Sequence, residues 1–216
     1  MMRESLDTQL EKLNIELIKM GALCEDAISA SVSGMLEHDV KILEKVFSID
    51  SDIDKIEKDI EHLCTKLFLQ QQPVARDLRQ ITAALKMISD MERIGDQASD
   101  IAEMVPYVIG NDTSGETHIE KMAKAVIRMT NESIDSFVKQ DLKLAKKVIE
   151  DDDEVDELFL QIKKELIHLV QNDNQNGEYY MDLLMIAKYL ERIGDHTTNI
   201  AEWVEYTITG KHQNYE

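Results

Sequence analysis

Proline occurs only twice in this 216-residue chain, at Pro73 and Pro106, and glycine only eight times. Both residues end helices and shape tight turns. Their scarcity, beside many Leu, Ile, Met, Lys and Glu residues, predicts a nearly all-helical protein. Cys24 and Cys64 are too few for a disulfide framework or a cysteine metal site. They are expected to be buried, reduced thiols. No apolar run approaches the ~20 residues that a membrane span requires, so a soluble chain with peripheral membrane contact at most is expected. Lys and Arg total 24 against 43 Asp and Glu, a net charge of −19. Phosphate backbones need clustered basic residues, which argues against a nucleic-acid partner. The acidity suits cations, basic protein surfaces or simple solubility. Glu4, Asp7, Glu11 and Glu16 make the N-terminus unlike a signal peptide. No nucleophile elbow, phosphate-cradling loop, Cys/His zinc pattern or triad signature is visible, so no enzyme is expected.

What the sequence has is helical periodicity. Leu6, Leu10, Leu13, Leu17, Met20, Cys24 and Ala27 recur at alternating steps of four and three. That is a bundle seam on a long first helix, ending between Gly34 and His38. Asp39 suits the N-cap of a second helix, whose apolar side runs from Val40 to Leu67. Gln70-Gln71-Gln72-Pro73 is the next break, with Pro73 placed at the first position of a third helix that ends around Pro106. Gly110 to Gly115 reads as a linker. A fourth helix carries Ile119, Met122, Val126, Met129, Ser133 and Phe137. Asp141 caps a fifth, and Asn172 to Gly177 separates it from a sixth.

The second half repeats the first. Glu92-Arg93-Ile94-Gly95-Asp96-Gln97-Ala98-Ser99-Asp100-Ile101-Ala102-Glu103 returns as Glu191-Arg192-Ile193-Gly194-Asp195-His196-Thr197-Thr198-Asn199-Ile200-Ala201-Glu202, identical at eight of twelve positions and 99 residues on. Upstream the register is 102: Asp39-Val40-Lys41-Ile42 aligns with Asp141-Leu142-Lys143-Leu144. The expected fold is all-α, six helices forming two tandem three-helix bundles related by internal duplication. The expected domains are residues 1–109 and 116–216.

Two acid pairs recur in each half. Asp50 and Asp54 align with Asp152 and Asp156, and Glu92 and Asp96 align with Glu191 and Asp195. Residues four apart share one face of a helix. Hard or borderline cations take several carboxylate oxygens converging on one point. A mid-helix glycine costs about 1 kcal/mol relative to alanine, so Gly95 and Gly194 predict a close helix approach. Acidic pairs on a helix are more often a solvated face, and only the duplication raises these above that reading. Arg93 and Arg192 read as ion-pair partners of nearby acids. His196 is a possible ligand but more commonly such a residue is exposed or hydrogen-bonded; His62 and His168 suit helix surfaces. Glu165 and His168 form one Glu-x-x-His where a di-iron centre needs two.

The doubled Glu-Arg-Ile-Gly-Asp signature, with Asn199-Ile200-Ala201-Glu202 and the lead-ins Leu183 to Leu190 and Asp77-Leu78-Arg79, resembles the PhoU family across essentially the whole chain. The resemblance implies two three-helix bundles and a homodimer. It implies a cytoplasmic protein at the inner face of the membrane, working with a phosphate ABC transporter and a sensor histidine kinase to repress the phosphate-starvation response. It also implies carboxylate sites for iron or zinc, with magnesium or manganese as further candidates. These sites carry over onto Asp50, Asp54, Glu92, Asp96 and Asp100, and onto Asp152, Asp156, Glu191, Asp195 and Asn199. Asp100 departs from an Asn at this rung, so the first site is expected to be the more negative. The alternative is a metal-free acidic helical scaffold that binds basic partner surfaces.

Overall fold

In a computed structural model, which describes residues 2–70, 73–109, 116–172 and 175–211, six helices follow one another: α1 (Met2–Leu36), α2 (Val40–Gln70), α3 (Ala75–Val108), α4 (Glu116–Lys139), α5 (Leu142–Asn172) and α6 (Gly177–Thr209). Among the described residues there is no strand. Leu6 to Ala27, the seven-residue seam expected on α1, is buried throughout. Residues 110–115, expected as the linker, and residues 71–72 and 173–174, within two expected breaks, lie outside the described residues.

The first turn of chain in each half is built the same way. His38 (φ 54) and Gln140 (φ 51) adopt the left-handed conformation that usually selects glycine. Asp39 N–H then donates to the Gly34 carbonyl at 3.1 Å, and Asp141 N–H to the Ser136 carbonyl at 2.9 Å. Those bonds satisfy carbonyls that a helix end leaves open. The next helix starts at once. Asp39 Oδ1 accepts from Lys41 N–H at 2.9 Å. Asp141 Oδ1 accepts from Lys143 and Leu144 N–H at 3.0 and 3.1 Å. Both aspartates therefore cap as their positions predict.

Three expected boundaries shift. Pro73 precedes the helix instead of opening it: Val74 is the N-cap of α3, and its N–H donates to Asp77 Oδ2 at 3.1 Å. The carboxylate reaching back supplies the start signal that proline was expected to give. Pro106 lies inside the last turn, and α3 continues to Val108. So near the helix end, little remains for the missing N–H to disrupt. Gly177, placed in a loop by its sequence, is the first residue of α6.

The contacts arrange α2, α3, α6 and α5 side by side, with α3 against α6 across the two halves. Helix α1 packs on α2 and α3, α4 packs on α5 and α6, and α1 meets α4. Each half is a three-helix bundle, and the two share one apolar core. Cys24, buried in it, donates its thiol to the Met91 carbonyl at 3.4 Å, tying α1 to α3. Burial pushes the thiols of Cys24 and Cys64 up to about 12, so both stay protonated. No described helix is long and apolar enough to cross a membrane.

Glycine marks the tight crossings. A Cβ on Gly95 would lie 2.9 Å from both Asp50 Oδ1 and Ile53 Cδ1 of α2. One on Gly194 would lie 3.2 Å from Asp152 Oδ1 and Val155 Cγ1 of α5. The close approach expected from the two signatures is therefore present in both halves. Gly177, by contrast, has nothing within 4 Å of an added Cβ. Gly95→Val should destabilise the fold by about 1–3 kcal/mol through overpacking. Gly177→Ala should be neutral or stabilising by about 0.4–1 kcal/mol. Urea unfolding of both variants checks the contrast, and equal midpoints would remove Gly95 from its role as a packing constraint.

Candidate functional site

The glycine crossings bring the acid pairs together. At the α2–α3 seam, Asp50 lies against Gly95, one residue from Asp96. At the α5–α6 seam, Asp152 lies against Gly194, one residue from Asp195. Pairing is thus within each half, α2 with α3 and α5 with α6, and not crossed between halves.

The seams are partly dry. Asp50 Oδ1, Ser99 Oγ and Thr198 Oγ1 are buried without a well-aligned hydrogen bond, yet the Ser99 hydroxyl lies close enough to Asp50, and that of Thr198 to Asp152, to favour the ionised carboxylate. Ser99 and Thr198 are counterparts 99 residues apart. A hydroxyl beside the buried aspartate is therefore a repeated feature of both seams. A buried carboxylate held by a single poorly aligned hydroxyl is costly.

The carboxyl groups register this environment. Burial first, then the nearby charges of Asp96, Asp54 and Asp100, raise Asp50 above the usual carboxylate range against the lowering effect of the Ser99 hydroxyl. Burial and Asp96 raise Glu92. Burial and Glu103, then Asp96, raise Asp100, partly offset by Arg192. In the second half Asp152 is pushed up to about 6 by burial, then by Asp156 and Asp195. Asp195 is raised by burial and Glu191. In every case desolvation leads and mutual repulsion follows. The most shifted aspartate also belongs to the second seam, not to the more crowded first.

Each seam carries its own counter-ion, and these differ. Arg93 places Nη1 2.8 Å from Asp96 Oδ2 and Nε 3.3 Å from Glu92 Oε2, the ion-pair role expected for it. In the second half Lys188 Nζ pairs with Glu191 Oε2 and lies 5.5 Å from the centre of the Phe159 ring. The counterparts of Lys188 and Phe159 in the first half are Ser89 and Glu57. Glu57, raised by burial and by Glu61 and Asp54, adds to the acids of the first seam. Glu57, Lys188 and Thr198 went unread in the sequence. Aligning the halves at offsets of 102 and 99 would have exposed all three.

The remaining candidates are placed plainly. Asp100 stands within the fields of Asp50, Asp96 and Arg192. Asn199 Nδ2 donates to Asp90 Oδ1 across the α3–α6 contact at 3.1 Å, and His196 Nδ1 lies 2.9 Å from the same oxygen. His196 is thus a hydrogen-bonded residue between halves. Glu165 meets His118 Nδ1 at 3.0 Å, while His168 faces Asn172, so Glu165 and His168 do not act together. Among the described residues, no three His, Cys, Asp or Glu side chains converge as they stand into a set that could hold an ion.

The duplicated signature on α3 and α6, and the seams it builds, can be set against known proteins. The PhoU domain model matches residues 17–105 and again 119–204. The chain belongs to the PhoU family. It is 36% identical over 218 aligned residues to a phosphate-specific transport system accessory protein PhoU homolog of Clostridium acetobutylicum, covering 98% of this chain and 97% of that one. It is 39% identical to the PhoU homolog of Aquifex aeolicus, over 85% and 84% of the two chains. Its fold is similar to the crystal structure of PhoU from Pseudomonas aeruginosa, with a TM-score of 0.91 and 31% identity over 95% of this chain and 99% of that one. The phosphate transport system regulatory protein PhoU from Streptococcus pneumoniae gives 0.89 and 25% identity, over 95% and 98%. The PhoU signature Glu-Arg-Ile-Gly-Asp therefore marks the seam in each half: glycine for approach, acids on either side.

The raised carboxyls make pH a probe of the seams. Folded Asp152 holds its proton up to about 6 against an ordinary value of 3.8. The folded chain thus binds that proton more tightly than the unfolded chain, and stability falls as pH rises through this window. Metal-free protein should unfold more easily at pH 7 than near pH 4.5 on this account. Asp152→Asn should flatten the slope and raise Tm at pH 7. The check is thermal unfolding in chelator across pH 4 to 7; an unchanged slope in the variant would place the effect elsewhere.

Proposed function

We propose that this chain regulates phosphate uptake and phosphate-starvation signalling by contact, as an accessory of a phosphate ABC transporter and a sensor histidine kinase, in the cytoplasm at the inner face of the membrane and as a homodimer. The observation that carries the transport role is the twofold PhoU match together with full-length relatives named as phosphate-specific transport accessory proteins. The architecture suits an adaptor: long amphipathic helices and an acidic surface. Deleting the gene in phosphate-replete cells should derepress phosphate-starvation genes. Unchanged reporter output would count against the negative role.

The same proposal includes two carboxylate cation sites, for iron or zinc or else magnesium or manganese. Asp50, Asp54, Glu92, Asp96 and Asp100 would hold the first, and Asp152, Asp156, Glu191 and Asp195 the second. The desolvated, raised carboxyls of Asp50 and Asp152 at the glycine crossings support this reading, because a cation would stabilise the charged form that burial disfavours. A cation would supply charge neutralisation that holds α2 to α3 and α5 to α6. Asn199, engaged with Asp90, would serve the second site only by leaving that bond. With Glu57 and Asp100 in place of Phe159 and Asn199, the first site should fill before the second.

A metal-free scaffold is the second reading. The ion pairs of Arg93 and of Lys188 favour it, since both seams already have a counter-ion. Elemental analysis of protein purified without chelator separates the two. Asp96→Asn with Asp195→Asn should lower bound metal while circular dichroism stays helical, as the apolar faces are untouched. Unchanged metal content in the double variant would sink the site assignment.

A further inference from the structure

A groove of about 530 Å³ opens between the end of α1 and the start of α2. Ser29 and Ser33 line it from α1, and Lys41 and Lys45 from α2. It lies on the α1 side of α2, whereas the carboxylate seam lies on the α3 side. Among the described residues, neither lysine has an acidic partner and neither serine hydroxyl has a hydrogen bond.

The second half supplies a reference for the same position. Lys147 is the counterpart of Lys45, 102 residues on. Its Nζ lies 2.5 Å from Glu132 Oε2 and 2.9 Å from Asp151 Oδ2. The first-half counterparts of those two acids are Ala30 and Ile49. The cation has been kept and both of its carboxylates are gone. The neighbouring charges are inverted as well: Asp26 stands for Arg128, and Glu37 for Lys139.

We propose that this groove binds a carboxylate side chain of a partner protein, received by Lys45 as Lys147 receives Glu132 and Asp151. Ser29 and Ser33 are placed to donate to the same carboxylate. Asp26 and Glu37 repel a run of acids and favour one acidic residue flanked by basic ones. The groove shares no residue with the carboxylate seams, so this inference stands or falls apart from metal binding.

The test uses the full chain, ¹⁵N-labelled, titrated with a blocked peptide Ala-Lys-Ala-Glu-Ala-Lys-Ala and with the same peptide carrying Gln for Glu. Non-specific attraction to an acidic protein favours the Gln peptide, which is the more positive. The Glu peptide should nevertheless bind about fivefold more tightly, the value of one well-placed exposed charge pair, with shifts centred on residues 29–45. That preference should vanish in Lys45→Ala and in Ala30→Glu, which builds into α1 the acid that α4 carries at Glu132. Ala30 is half-buried at the edge of the core and glutamate is a good helix former; circular dichroism and the amide shifts away from residues 29–45 check that this variant keeps the fold. Equal binding of the two peptides, or a preference unchanged in both variants, would overturn the proposal. Inorganic phosphate that shifts the same amides and displaces the Glu peptide would overturn it in favour of a small-anion site.

Discussion

The structure turns on how closely α2 approaches α3, and α5 approaches α6. Without Cβ atoms at Gly95 and Gly194, the backbone of one helix meets side chains of the next directly. The same crossing that seats Ile53 and Val155 in the core draws Asp50 and Asp152 in beside them. Their carboxyls are desolvated because they lie at the point of closest approach. Apolar packing of Ile53, Ile94, Val155 and Ile193, all buried, offsets that cost. The seam chemistry is thus a consequence of the packing, and any change that widens the crossing rehydrates the aspartates first.

The two halves are not interchangeable copies. The first seam gathers Glu57 and Asp100, and its counter-ion Arg93 pairs with Glu92 and Asp96 along α3. The second has Phe159 and Asn199 at those positions and is bridged by Lys188. The α3–α6 contact then joins them. Asp90 of the first half accepts from Asn199 and meets His196 of the second. Arg192 of the second half lowers Asp100 of the first. Charge in one half is balanced in part by residues of the other, so the contact between halves is electrostatic as well as apolar.

Much of this was legible in the sequence. Spacing gave the helices, because a buried stripe demands a 3.6-residue repeat. Short connections pointed to the pairing of α2 with α3 and of α5 with α6 without excluding a crossed pairing between the halves, and the mid-helix glycines pointed to the close approach. What was missed has physical reasons. Pro73 and Gly177 are generic signals, overridden by the Asp77 carboxylate and by an unobstructed first turn. His38 and Gln140 hold a conformation that favours glycine, held there by bonds that only the folded turn supplies. Asn199 reads as the next rung of a ladder, but facing positions on an antiparallel neighbour decide where its amide goes. Periodicity along one helix carries no information about that neighbour.

The counter-ions and the cation sites need not compete as alternatives. Arg93 and Lys188 are 57% and 43% exposed, and ion pairs at such positions contribute only about 0–1 kcal/mol. Displacing either one costs little. The carboxyls of Asp50 and Asp152 are a different matter, since burial disfavours their charged form more than any neighbouring charge does. An incoming cation would therefore lose weak, solvated pairs and relieve strong, dry deficits. With the ion gone, Arg93 and Lys188 remain to keep the acids from forcing the helices apart. On the proposed cation sites, a seam built in this way would tolerate both states without unfolding.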